Sequence, residues 1–194
     1  MRTALFSVVA LGLALAACQG QDGAEVPAAA SDEPISEDGR SYLSQPLVSE
    51  IYTADPSAHV FDGKIYVYPS HDIDAGIGDD DLGNQYAMRD YRVLRMDRIG
   101  GPVTIGPVAL DVDQVPWASQ QMWAPDAADK DGTYYLYFPA RDKTKDKNGL
   151  GAFRIGVATS DNPMGPFKPE PNYIPGSFSM DPAVFTDDDG TSYM

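Results

Sequence analysis

The sequence predicts an all-β fold, a β-propeller of which about two blades and the opening of a third are present. Three observations carry this expectation. An Asp-Gly turn feeding a tyrosine-rich strand recurs along the chain. Strand-sized segments fill the intervals between recurrences. No window of about 12 residues spaces its apolar side chains at the 3.6-residue period of an amphipathic helix.

The recurring unit can be read directly. Asp62-Gly63-Lys64-Ile65-Tyr66-Val67-Tyr68 returns as Asp131-Gly132-Thr133-Tyr134-Tyr135-Leu136-Tyr137, and begins again as Asp189-Gly190-Thr191-Ser192-Tyr193. Asp-Gly tolerates the positive φ angles of a tight hairpin, and the residues after it are β-formers. Short extended segments precede each turn: Ser57 to Phe61, Ala124 to Ala128, and Ala183 to Thr186. Tyr91 to Met96 and Phe153 to Thr159 read as later strands, and Val103 to Leu110 as an outer strand of the first unit. Units of about four strands at this spacing point to propeller blades. A β-sandwich has the same strand density but does not call for the recurring turn. Blade one is expected over about residues 50–112 and blade two over about 117–176. A propeller removes its sheet edges only by closing its ring, so the chain is expected to be the N-terminal part of a longer protein. Composition agrees: 11 Tyr, 7 Phe and 2 Trp stand beside 18 Gly and 16 Pro, a mix suited to sheets and turns.

Residues 1–18 are expected to be an export signal. Arg2 gives a positive start, and Leu5 to Ala17 is an apolar run too short for a bilayer-spanning helix, which needs about 20 residues. The run ends Leu15-Ala16-Ala17-Cys18, which resembles a bacterial lipoprotein signal cleaved before a lipidated cysteine. Cys18 is the only cysteine, so no disulfide forms within the chain. Gln19 after it favours the outer over the inner membrane, so the protein is expected to be exported and lipid-anchored. Residues 19–44, rich in Ala, Gly, Ser, Asp, Glu and Pro, read as a flexible linker. The folded domain is expected over 45–194.

The chain holds 29 acidic against 14 basic residues, and Arg2 leaves with the signal. The mature net charge is then about −16, which excludes nucleic acid as a partner, because phosphate binding needs clustered Lys and Arg. Solubility of an exported protein accounts for the charge.

Two Asp-Pro pairs fall at matched places in the repeat. Asp55 lies eight residues before Gly63, and Asp181 nine before Gly190. A third acid, Asp126 in Trp123-Ala124-Pro125-Asp126, lies six before Gly132. Innermost strands of a propeller converge on its axis, so acids at their starts gather at one pocket. Glycoside hydrolysis requires such a set: an ionised carboxylate to activate water or attack the sugar, and a protonated one to serve the leaving oxygen. Asp-Pro also simply opens turns, and the spacing alone leaves both readings standing.

Several segments taken together resemble glycoside hydrolase family 43. They are Ala54-Asp55-Pro56-Ser57, Tyr66-Val67-Tyr68-Pro69-Ser70-His71-Asp72, Met122-Trp123-Ala124-Pro125-Asp126, Tyr134-Tyr135-Leu136-Tyr137-Phe138, and Met180-Asp181-Pro182-Ala183-Val184-Phe185-Thr186-Asp187-Asp188-Asp189-Gly190. The resemblance runs through residues 50–194. It implies a five-bladed propeller and an inverting hydrolase acting on arabinose-, xylose- or galactose-containing plant-type glycans. By the same resemblance, Asp55 is the general base and Asp181 orients the general acid and raises its pKa. That acid is a glutamate of a later blade, about 6.5–9.5 Å from the base in inverting enzymes. No residue here matches it, and Glu170 reads as a loop residue. The 194-residue chain by itself is therefore expected to be inactive. A non-catalytic, surface glycan-binding propeller is the alternative.

The remaining candidates carry softer signals. Trp123 is read as a sugar-stacking residue, with a core or loop anchor equally open. His71, Asp72 and Asp126 are candidate substrate-binding residues. Arg141 and Asp142 occupy the corresponding strand end of blade two. His59 is expected to pack within its strand. With two His and no cysteine in the folded part, no zinc site is expected. The Asp runs at 79–81 and 187–189 read as a solvated loop and a turn. No cofactor is expected; the resemblance leaves room for a structural calcium held mainly by later blades.

Overall fold

The computed structural model describes residues 46–145 and 149–194. The expected signal (1–18, with Cys18) and linker (19–44) lie outside the described residues.

The first blade is an antiparallel meander. Its strands β1 (Tyr52–Phe61), β2 (Lys64–Asp72), β3 (Asp90–Met96) and β4 (Thr104–Asp111) lie in the order β1-β2-β3-β4. Phe61 pairs with Lys64 across a two-residue loop in which Asp62 and Gly63 have φ of 49° and 72°. Both central residues are left-handed, as a type I′ hairpin demands. The β1–β2 ladder breaks once. Ala54 pairs with Ser70 and Ser57 with Tyr68, so Asp55 and Pro56 together oppose Pro69. This is a β-bulge, and neither proline has an N–H for a ladder that is already interrupted there.

The second blade repeats the plan with a wider break. A 3₁₀ turn, Val112–Gln114, leads to β5 (Ala118–Gln120), followed by β6 (Asp126–Lys130), β7 (Thr133–Lys145), β8 (Gly151–Ser160) and β9 (Lys168–Pro169). Both β5 and β6 pair with β7, so they are the two halves of one inner strand. Gln120 pairs with Arg141 and Asp126 with Tyr137, leaving residues 121–125 opposite residues 138–140, with Pro139 at the break. The β6–β7 hairpin turns through Asp131 and Gly132 at φ of 54° and 78°.

The third unit begins with the hairpin β10 (Phe185–Thr186) and β11 (Ser192–Tyr193). Its turn differs from the other two. Thr186 pairs with Ser192 across five residues, closed by Asp187 N–H to Thr191 O at 2.9 Å and Gly190 N–H to Asp187 O at 2.9 Å. The loop is thus longer than the two-residue Asp-Gly turns of the other blades. Among the described residues no helix is long and apolar enough to cross a membrane.

The core lies between the two blade faces. Tyr68, Tyr91, Val93 and Leu110 from blade one are buried with Leu136, Phe138, Ala140 and Ala158 from blade two. Phe61 meets Tyr134 edge-on at 5.2 Å, and Tyr91 meets Phe138 at 6.3 Å. Trp117 stacks on Phe138 at 5.8 Å, over Gly156, where a Cβ would come within 2.6 Å of both rings. Three of the buried tyrosine hydroxyls find partners outside their own blade's ladder: Tyr68 donates to Pro163 O (2.7 Å), Tyr91 to Trp123 O (2.7 Å) and Tyr134 to Asp62 Oδ2 (2.9 Å). Burying a phenol without such a bond would cost about 1–3 kcal/mol, a large part of what its area returns.

Phe138→Ala is expected to lower the unfolding free energy of the full-length protein by about 3–5 kcal/mol, because the ring is fully buried and its neighbours cannot collapse around the void. Urea denaturation reads this directly. A loss below about 1 kcal/mol would mean the inter-blade face is not close-packed.

Candidate active site

The two breaks and the start of the third unit converge on one cleft. Its volume is about 400 Å³, and Asp55, Asp72, Asp181 and Trp123 line it together with Ala54, Tyr86, Met88 and Met180. A larger recess of about 580 Å³, between Gln114, Pro116, Phe167 and Pro171, has Lys168 but no carboxyl among its lining residues. The acids are the chemical difference, and they mark the smaller cleft.

Asp55 sits at the β1 bulge with φ of 47°, and Asp181 precedes Pro182 with φ of 56°. Left-handed backbone is uncommon for a residue with a Cβ, and Asp is among the few that adopt it with modest strain. Such strain clusters where a side chain must be aimed. The bulge here redirects Asp55 out of the regular in-out alternation of β1 and into the cleft. In blade two the left-handed residue is Gln121, with φ of 59°.

Asp72 ends β2 beside the bulge. Its Oδ1 is buried and has no hydrogen-bond partner among the described residues. Burial first, and then the charge of Asp55, push its carboxyl above the usual range, while His71 pulls the other way. Asp181 is raised likewise, by burial and by Asp55. Three carboxyls thus share one cleft, and Asp55 acts electrostatically on the other two.

A loop of blade one forms the rim. Trp123 Nε1–H donates to Tyr86 O at 2.8 Å, Gln121 Nε2–H to Gly83 O at 2.6 Å, and Arg141 to Leu82 O at 3.3 Å. Arg141 also bonds the Gln121 side chain and Gly151 O, and its guanidinium lies 4.5 Å over the Phe153 ring. Inside the loop, Asp80 accepts from the backbone of Leu82 and Asn84 and from the Asn84 side chain. Three side chains of blade two therefore hold a blade-one loop in place and present Tyr86, edge-on to Trp123 at 6.4 Å, to the cleft.

The candidates read from sequence divide accordingly. Asp55, Asp72, Asp181 and Trp123 come together. Asp126 does not line the cleft: it is buried within β6 and bonded to His59 Nε2, to Val184 N–H and to Ala127 N–H. His71 is not among the cleft-lining residues; its Nδ1 lies 2.7 Å from Asp90 Oδ1. Asp142 is buried against Thr144 N–H and Arg154, away from the cleft. Arg141 stands beside the cleft, in an adjoining recess that shares Tyr86, Trp123 and Met180 with it. His59 does more than pack, since it bonds across to blade two. Sequence reasoning missed Tyr86 and Met88, which arrive from a loop without a motif, and gave no role to Met180 although it stands beside Asp181 in the quoted segment. It also missed Gln121, which opens the break in the inner strand of blade two and shares the left-handed backbone of Asp55. Among the described residues no group of three or more His, Cys, Asp or Glu side chains is arranged to hold a metal ion. The calcium that the resemblance leaves room for would be held mainly by later blades, and no step is assigned to one.

Residues 48–194 match the profile of glycosyl hydrolases family 43. The chain is 60% identical over 151 residues to Xylosidase/arabinosidase 43A of Humicola insolens, covering 77% of this chain and 44% of that protein. It is 50% identical over 149 residues to a xylosidase/arabinosidase of Bacteroides ovatus, covering 76% and 44%. Among solved structures, a GH43 β-xylosidase/α-arabinofuranosidase from a compost microbial metagenome, in complex with xylotriose, superimposes with a TM-score of 0.72 at 64% identity, covering 76% of this chain and 43% of that one. The chain thus spans about 44% of the length of the curated relatives it matches. With a family match over nearly all of the described residues, and two blades and an opening third that superimpose on solved members, the chain belongs to glycosyl hydrolases family 43, the five-bladed propellers.

Proposed function

We propose that the protein hydrolyses glycosidic bonds in xylose- and arabinose-containing glycans with inversion, and that this chain carries the water-activating side of the site. The observation that carries the reading is Asp55, held at a β-bulge on left-handed backbone and facing a cleft that also contains Asp72 and Asp181. Asp55 is the general base that takes a proton from the attacking water as it adds to the anomeric carbon. Asp181 orients the acid, a glutamate that the family resemblance assigns to a later blade, and its charge keeps that acid protonated. Trp123 offers an apolar ring face to the sugar, with its N–H already committed to Tyr86 O. Asp72 lines the cleft, and its carboxyl, whose Oδ1 has no hydrogen-bond partner among the described residues, is the acceptor for a sugar hydroxyl. Relatives named as xylosidases and arabinosidases support the substrate class.

We also propose that the mature protein is tethered to the outer membrane through a lipid on Cys18, on the strength of the Leu15-Ala16-Ala17-Cys18 signal and Gln19. Cys18→Ala should move the protein from the membrane to the soluble fraction; unchanged partitioning would remove the anchor.

In the full-length protein, Asp55→Asn is expected to lower kcat on xylo- and arabino-oligosaccharides by about 10²–10⁴-fold with the fold intact by circular dichroism. Near-normal turnover would refute the base assignment, and sugar binding without release in the unmutated protein would favour a lectin-like role. Asp72→Ala should lower kcat/KM by about 10–100-fold, the worth of one charged hydrogen bond to a hydroxyl.

The raised carboxyls also predict a sign for stability against pH. Asp72 and Asp181 bind protons more tightly folded than unfolded, so their contribution is fully present below the ordinary carboxylate range. It is lost as pH rises through their raised folded values. Asp55→Asn removes one cause of both shifts, so it should make the protein more stable at neutral pH while inactivating it. Equal stability of the two forms at pH 7 in urea would contradict the electrostatic coupling.

A further inference from the structure

Asp126 is a buried carboxylate that the reaction does not touch, yet its bonds reach all three blades. Oδ1 lies 2.6 Å from His59 Nε2 and accepts from Ala127 N–H at 2.8 Å; Oδ2 accepts from Val184 N–H at 2.6 Å. Burial opposes ionisation here, but the bonds from His59, Val184 and Ala127 prevail and hold the carboxyl below its usual value. An ionised carboxylate only accepts, so His59 Nε2 must carry the proton of that pair.

The two long-range partners stand next to the site acids in sequence. His59 lies on β1 four residues after Asp55, its ring stacked on Phe61 at 5.5 Å. Val184 lies three residues after Asp181, across Pro182. Both acids sit on left-handed backbone, which persists only where the surroundings over-determine it. We propose that Asp126 is a positioning residue whose carboxylate ties the strand behind Asp55 to the segment behind Asp181, and so sets the separation of the two site acids. The bonds are charge-assisted, about twice the strength of neutral ones, and are shielded from water by burial. The carboxylate offers one oxygen to each neighbouring blade, an arrangement no shorter or apolar side chain reproduces. The proposal rests on the reading of Asp55 and Asp181 as site acids, since a displacement of about 1 Å in such a pair costs on the order of 10²-fold in rate.

The test compares Asp126→Ala and Asp126→Asn in the full-length protein, using xylo-oligosaccharide hydrolysis and the ¹³C titration of the Asp181 carboxyl. Asp126→Ala is expected to lower kcat by about 10–100-fold while KM changes by less than about threefold. The Asp181 carboxyl should then titrate lower, because the charge of Asp55 is no longer held against it. Asp126→Asn should recover only part of the rate: its amide oxygen still accepts from Val184 N–H and its NH₂ can donate to His59 Nε2, but that NH₂ then faces Ala127 N–H, which loses its acceptor. If Asp126→Ala does not fold, His59→Phe keeps the ring stack, severs one arm, and should show the same pattern at about 3–10-fold. A folded variant with unchanged kcat and an unmoved Asp181 titration overturns the proposal. A fully active Asp55→Asn protein would instead overturn the functional reading, and the Asp181 titration would still decide whether Asp126 sets the spacing.

Discussion

The site depends on one backbone constraint: the innermost strand of a blade breaks where it reaches the axis. In a regular strand, side chains alternate between the two faces of the sheet. An acid in register would be buried in the core or turned away from the axis. The bulge at Asp55-Pro56 and the wider break at residues 121–125 free one residue from that alternation. Pro69 and Pro139 on the facing strands lack the N–H that an unbroken ladder would require, so the sequence favours the break on both sides. The freed residue sits on left-handed backbone each time, as Asp55 and Gln121, and Asp181 shares the conformation at the start of the third unit.

That strain must be held by something stiffer than the strand itself. The inter-blade core supplies the stiffness, with tyrosine rings filling the space and their hydroxyls bonded across it. Tyr91 links the two levels directly: its ring packs on Phe138, and its hydroxyl fixes the backbone of Trp123 at the cleft. The rim loop is held in the same way, by Gln121, Trp123 and Arg141 reaching over from blade two to backbone carbonyls of blade one. The cleft is therefore a product of two blades meeting, and neither blade contains it alone.

Much of this was legible in the sequence because it is local. The Asp-Gly hairpins at 62–63 and 131–132 follow from turn chemistry, and the strands beside them from β-forming residues. The matched Asp-Pro pairs single out Asp55 and Asp181, and the family resemblance supplies their roles. Counting back from the turn failed in blade two, where the break is longer. It selected Asp126, which faces inward to His59 and Val184, and passed over Gln121, which has neither glycine nor aspartate to signal left-handed backbone. The Asp run at 187–189 reads as a turn and forms one, closed by Gly190 N–H to Asp187 O. Tyr86 and Met88 were invisible because only tertiary packing brings them to the cleft. His71 illustrates the same limit: a strand end beside the cleft does not say which neighbour, here Asp90, the side chain prefers.

The most direct test is a crystal structure of the full-length protein, inactivated at Asp55 by Asn, with an unhydrolysed xylose- or arabinose-containing oligosaccharide. The account predicts a sugar ring against Trp123 and a hydroxyl on Asp72. A water should lie about 2.6–3.2 Å from the residue 55 side chain, in line with the anomeric carbon. An oligosaccharide bound elsewhere on the propeller, with this cleft filled only by solvent, would contradict it.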